Sequence, residues 1–102
     1  MGRGGRDVQT GVRVVFQPVA WRQYLYWAEN DAKLLARLNA IIEDARRSPF
    51  RGIGKPEPLR DSLAGWWSRR ITDEHRLVYR VVGTGEEQVL ELMQCRYHYG
   101  PR

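Results

Sequence analysis

Apolar positions in this 102-residue chain shift in spacing from about two to about three and a half and back again. Each shift marks a change of element. Residues 12–16 form a β-branched run closed by Pro18, which predicts a first strand. Trp21, Tyr24, Leu25 and Ala28 then recur at i, i+3, i+4 and i+7, the stripe of an amphipathic helix. Asn30-Asp31 interrupts the chain and re-caps it. Beyond it, Leu34, Leu35, Leu38, Ile41, Ile42 and Ala45 share one face of a longer helix that Pro49 stops. The opposite face carries Lys33, Arg37, Glu43 and Arg46. The two helices are expected to pair as an antiparallel hairpin with their aromatic side chains in the core.

Residues 50–63, with Gly52, Gly54, Pro56 and Pro58, read as an ordered loop. Three more strands follow at 66–72, 76–82 and 88–97, with Gly83-Thr84-Gly85 turning between the last two. The order β-α-α-β-β-β gives an α+β fold, an antiparallel sheet packed on a helical hairpin.

Strand alternation sharpens the picture. Trp67 and Ile71 are odd-numbered, and so are Leu77, Tyr79 and Val81 on the next strand. Both sets reach one core face of an antiparallel pair only if opposed residue numbers sum to an even value, which requires a hairpin loop of odd length. That register puts Arg70 beside Arg76 on the other face. Two neighbouring arginines repel, and an anion between them relieves the repulsion. A pair of solvated surface arginines is the alternative reading.

The chain is expected to be one small domain, residues 12–102, behind a disordered Gly/Arg-rich leader, residues 1–11. Lys and Arg total 17 against 12 Asp and Glu, a net charge of +5 that favours a polyanion or an acidic protein partner. A single cysteine, Cys95, excludes an internal disulfide, and with two histidines it cannot complete a structural zinc site. Its apolar surroundings predict a buried, inert thiol and a reducing, cytoplasmic setting. No run approaches 18 apolar residues, and no signal core opens the chain, so neither a membrane span nor secretion is expected.

The remaining polar residues carry the candidate chemistry. Glu57 stands between Pro56 and Pro58, which fix its backbone on both sides. That clamp suits a carboxylate that must not wander, and it equally suits a structural corner. Lys55 precedes it, and Arg60, three residues later, could neutralise it or contact a second phosphate. His75 lies in a polar turn, where backbone hydrogen bonding is the expected role. His98 follows a strand end between Tyr97 and Tyr99, where it can exchange a proton near neutrality beside stacking faces for a base. One carboxylate, several arginines and one histidine suffice for RNA cleavage without a metal or cofactor.

The segments Gly54-Lys55-Pro56-Glu57-Pro58-Leu59, Trp67-Ser68-Arg69-Arg70-Ile71-Thr72, Glu74-His75-Arg76-Leu77-Val78-Tyr79 and Cys95-Arg96-Tyr97-His98-Tyr99 together resemble the YoeB toxins of bacterial toxin–antitoxin systems, in the RelE/ParE superfamily. The resemblance implies a microbial-ribonuclease-like fold and a metal-independent endoribonuclease that cuts mRNA in the ribosomal A site. It implies Glu57 as general base, His98 as general acid and Arg76 as the phosphate-stabilising arginine. Arg70, Lys55, Arg60 and Tyr99 would bind substrate or shape the site. It further implies a YefM-type antitoxin with an acidic segment, operator DNA reached only through the toxin–antitoxin complex, and a possible homodimer. The competing reading is a non-enzymatic RelE/ParE-like module that acts by protein binding. Two departures stand out: Arg60 replaces the usual lysine, and Gly100-Pro101-Arg102 extends past the matched tyrosine.

Overall fold

The computed structural model describes residues 12–98. Strand β1 (Arg13–Phe16) leads into helix α1 (Pro18–Asn30), helix α2 (Ala32–Arg47) and four further strands. These are β2 (Glu57–Pro58), β3 (Trp67–Arg70), β4 (Arg76–Val82) and β5 (Val89–Gln94), in a single sheet of order β1-β5-β4-β3-β2. The α+β class and the helical pair match the sequence expectation; the sheet differs in two respects. It is mixed rather than antiparallel, because β1 runs parallel to β5 from Arg13 opposite Val89 to Phe16 opposite Leu92. A two-residue strand, β2, also emerges inside the expected loop and pairs Glu57 with Ser68.

Helix starts and stops follow local chemistry. Pro18 opens α1, where a missing N–H costs nothing. Asp31 is the whole connection between the helices: its N–H closes α1 on Trp27 O, and its carboxylate accepts the N–H of Leu34 at 3.0 Å to cap α2. Tyr24 donates to Asn39 at 2.7 Å, and their near-equal distances from Asp31 are those of a hairpin.

The helices cover one sheet face. Leu34, Leu38, Ile41, Ile42 and Ala45 of α2 meet Leu77, Tyr79, Leu90 and Leu92 in the main core. On α1 the buried residues are Ala20 and Trp27, not the expected stripe. Trp21 stays 45% exposed, edge-on to Phe16 and stacked on Tyr24, and Leu25 and Ala28 are exposed too. The helix is rotated because Trp27 reaches past the sheet and donates its Nε1–H to Cys95 O at 2.9 Å. Cys95 is buried, and desolvation pushes its thiol up to about 12, so it is inert as expected.

Register between β3 and β4 is the expected one: Trp67 opposes Tyr79 and Arg70 opposes Arg76, across a five-residue link (residues 71–75). The same alternation turns Arg69 inward, and it is fully buried. All five of its N–H groups are used. Nε donates to Tyr79 Oη (2.9 Å), Nη1 to Asp44 Oδ2 (2.7 Å) and Ile53 O (3.1 Å), and Nη2 to Ser48 O (2.6 Å) and Arg51 O (2.9 Å). Residues 48–53 therefore fold around a guanidinium instead of an apolar cluster. Gly52, at φ +125°, passes so close that a Cβ would run into the Asp44 carboxylate. Gly54 O then accepts the N–H of Arg70 at 2.7 Å and seats the loop against β3.

On the sheet's other face, Leu59, Trp66 and Val78 form a second small core with Leu63 and Met93. A register shift in the β4–β5 ladder sets Tyr79 opposite Leu92 but Val78 opposite Gln94, so Met93 is an extra residue, a β-bulge.

Replacing Arg69 by Met should destabilise the fold by about 3–5 kcal/mol, since it orphans the carbonyls of Ser48, Arg51 and Ile53 and strips the half-buried Asp44 carboxylate of its partner. The Arg69 hydrogen bond, ahead of the Ile53 N–H and nearby charges, holds the Asp44 carboxyl below its ordinary 3.8. A carboxyl lowered by folding stabilises above its unfolded value and loses that contribution as pH falls through its folded value. Asp44→Asn should therefore lower stability near neutrality while flattening the acid limb of the unfolding curve below about pH 4. Urea unfolding of both proteins across that range checks the pair of effects.

Candidate active site

The face of the sheet away from the helices carries a cleft of about 170 Å³ lined by Lys55, Glu57, Ser68, Arg70, Arg76 and His98. Four separate segments supply these residues. The loop held by Arg69 delivers Lys55, whose backbone is left-handed at φ +52°, and then Glu57, fixed in the short ladder opposite Ser68. Alternation on β3 turns Ser68 and Arg70 to this face while Arg69 between them points inward. Arg76 opens β4 directly across from Arg70. His98 arrives from the segment after β5.

Arg76 is nearly buried and held through one nitrogen. Its Nη1 donates to the carbonyls of Thr72 (2.8 Å), Asp73 (3.1 Å) and His75 (3.2 Å), so the hairpin link grips one prong of the fork. Among the described residues, Nε and Nη2 make no hydrogen bond, and they belong to a side chain that lines the cleft. Three cations face one carboxylate there, a balance that suits an anion. No three His, Cys, Asp or Glu side chains converge at ligand distance among the described residues.

Of the candidate residues, the fold thus brings Lys55, Glu57, Arg70, Arg76 and His98 to one cleft. Arg60 is exposed and lies outside the lining, just before a 3-10 turn (Asp61–Leu63). Tyr99, the leader and residues 100–102 lie outside the described residues.

The histidine in the turn has a longer reach than expected. Within the turn Thr72 Oγ1 takes the local role, accepting the N–H groups of Glu74 and His75. The His75 ring instead accepts the Tyr97 N–H at 2.7 Å, from the segment that carries His98. No helix in the described residues is long and apolar enough to cross a membrane.

Known proteins fit this picture. The family model for YoeB-like toxins of bacterial type II toxin–antitoxin systems matches residues 16–99. Toxin YoeB of Escherichia coli O6:H1 is 49% identical over 88 residues, covering 86% of this chain and all of the relative. A solved YoeB/ParE toxin from Agrobacterium tumefaciens superposes with a TM-score of 0.84 at 51% identity, covering 86% of this chain and all of that one. YoeB of Staphylococcus aureus matches at a TM-score of 0.76 both in a heterotetrameric complex with YefM (38% identity, 86% and 98% of the two chains) and as a dimer (37%, 88% and 100%). This chain belongs to the YoeB-like toxins of bacterial type II toxin–antitoxin systems.

Proposed function

We propose that this toxin is a metal-independent endoribonuclease that cuts mRNA in the ribosomal A site. The observation that supports the reading is the convergence of Glu57, Arg70, Arg76 and His98 on one cationic cleft. Glu57 takes the proton of a ribose 2′-hydroxyl, and the freed oxygen attacks the adjacent phosphorus. Arg70 and Arg76 bind the non-bridging oxygens as charge builds there, with Lys55 adding positive potential. His98 gives a proton to the departing 5′-oxygen. The P–O5′ bond breaks as the P–O2′ bond forms, leaving a 2′,3′-cyclic phosphate and a 5′-hydroxyl. Acid–base help of this kind is worth about 10²–10⁴-fold, and preorganised cations about 10²–10³-fold more.

Around this cleft, Arg60 would contact a backbone phosphate away from the scissile one, and Tyr99 would shape the site or stack on a base. A YefM-type antitoxin is the expected silencer, through an acidic segment that orders on the cationic face. The toxin would reach operator DNA only within that complex. Pairing with a second copy is compatible with the same reading.

Glu57 and His98 are both exposed, so their side chains contribute little to the core. Glu57→Gln and His98→Ala should each lower cleavage of ribosome-bound mRNA by about 10²–10⁴-fold with near-unchanged melting temperatures. Single-turnover cleavage read by primer extension, beside thermal unfolding, measures both; full activity in either variant removes that residue from its role. Products should carry 5′-hydroxyl ends. Cleavage should also persist at any chelator level that leaves ribosomes intact, whereas thiophilic-metal rescue of a phosphorothioate substrate would demand a different mechanism.

A further inference from the structure

His98 is delivered by a tail that belongs to no strand. β5 ends at Gln94, and side chains hold the residues beyond it. Gln23 Oε1 accepts the Cys95 N–H at 2.7 Å, and the Arg96 guanidinium lies 3.6 Å over the Tyr26 ring. Gln94 Nε2 sits within 3.0–3.3 Å of the carbonyls of Arg96, Tyr97 and His98. Tyr97 adopts a left-handed backbone, φ +69°, which is uncommon for an aromatic residue and needs support from its surroundings. That support comes from two consecutive residues. The Tyr97 N–H donates to His75 Nδ1 at 2.7 Å, and its carbonyl accepts the Arg76 N–H at 3.0 Å.

We propose that His75 is a positioning residue: its unprotonated Nδ1 holds the left-handed Tyr97 turn that aims His98 into the cleft. The effect on cleavage rests on the nuclease reading above; the clamp itself does not. An Nδ1 that accepts a hydrogen bond must carry no proton, so the ring's one proton sits on Nε2. Protonating Nδ1 would set one donor against another and release the turn.

Every element packed on the ring bears on that protonation. Burial is the largest influence and keeps the imidazole below its usual 6.5. Glu74, 3.9 Å from Nε2 in the hairpin link, favours the charged form; Arg96 from the tail and Arg76 from β4 oppose it. Trp27 from α1, edge-on at 4.8 Å, and Tyr97 are uncharged neighbours. A histidine lowered by folding stabilises above its unfolded value and loses that contribution as pH falls through its folded value. The clamp therefore stays closed at neutrality and opens only below the ordinary imidazole range.

The test compares His75→Leu, which removes the acceptor, with His75→Asn, whose side-chain oxygen can replace Nδ1 without titrating. In the free toxin, His75→Leu should speed exchange of the Tyr97 amide at least about tenfold, and His75→Asn should restore protection. As the pH is lowered through the folded His75 titration, wild type should lose Tyr97 protection and His75→Asn should not. In cleavage, His75→Leu should cost about 10²-fold in kcat with little change in KM. In a His98→Ala background it should cost nothing further, because it acts through His98. Should His75→Leu fail to fold, His75→Phe, which keeps a planar ring of similar size but has no acceptor, takes its place. Unchanged Tyr97 exchange on loss of the acceptor, or a kcat loss undiminished in the His98→Ala background, overturns the proposal. If wild type cleaves no RNA, the nuclease reading fails, and the exchange measurements alone decide the clamp.

Discussion

The buried guanidinium of Arg69 is the interaction on which the rest of this structure depends. Its five N–H groups tie together the carboxylate of Asp44 on α2, the carbonyl of Ser48 at the end of that helix, two loop carbonyls and the Tyr79 hydroxyl on β4. Burying a charge costs several kcal/mol unless nearly every donor is used, and here every donor is used. The arginine also stands at a helix C-terminus, where a cation is favoured. What it organises is a stretch whose large apolar residues, Phe50 and Ile53, stay exposed and supply no core of their own. That stretch runs straight into Lys55 and Glu57, so the carboxylate of the cleft is anchored from beneath the sheet. Tyr79 extends the anchor by donating to Pro49 O at 2.6 Å.

Sequence pattern revealed much of this and missed it at identifiable places. Odd-numbered apolar residues on β3 and β4 were enough to pair Arg70 with Arg76. The same parity, applied to Arg69, would have turned it inward, but an arginine beside another arginine reads as a surface cluster. Its partner Asp44, 25 positions away, carries no local mark. The rotation of α1 depends on Trp27 meeting the Cys95 carbonyl, a contact across 68 positions that no helical stripe encodes. Parallel pairing of β1 with β5 is likewise a choice of neighbour, and periodicity within a strand cannot name the neighbour. The residue types of the cleft were legible; their convergence from four segments needed the fold.

Electrostatics in the cleft are lopsided by construction. Arg70 and Arg76 face each other across the ladder, and among the described residues lining the cleft Glu57 is the one carboxylate to offset them and Lys55, a cost the sheet bears when nothing is bound. Gripping Arg76 by one prong lets the backbone carbonyls of the hairpin link absorb part of that charge while fixing where the rest is directed. A bound phosphate would meet cations already in place and need little rearrangement of the protein.

The bulge at Met93 decides which residues at this strand's end face the core. Leu90 and Leu92 face the helices, and strict alternation would send Gln94 after them into the core. The extra residue resets the phase: Gln94 comes out opposite Val78, within reach of the tail carbonyls, and Cys95 goes in. Inward-facing residues on this strand are thus spaced two, then three. Substitutions at Met93 that keep a side chain able to lie against Trp66 and Val78 preserve that phase, whatever their chemistry. Losing that one residue would leave Leu92 and Gln94 adjacent, and plain alternation would still turn Gln94 out and Cys95 in; what would go is the side chain that fills the small core against Trp66 and Val78.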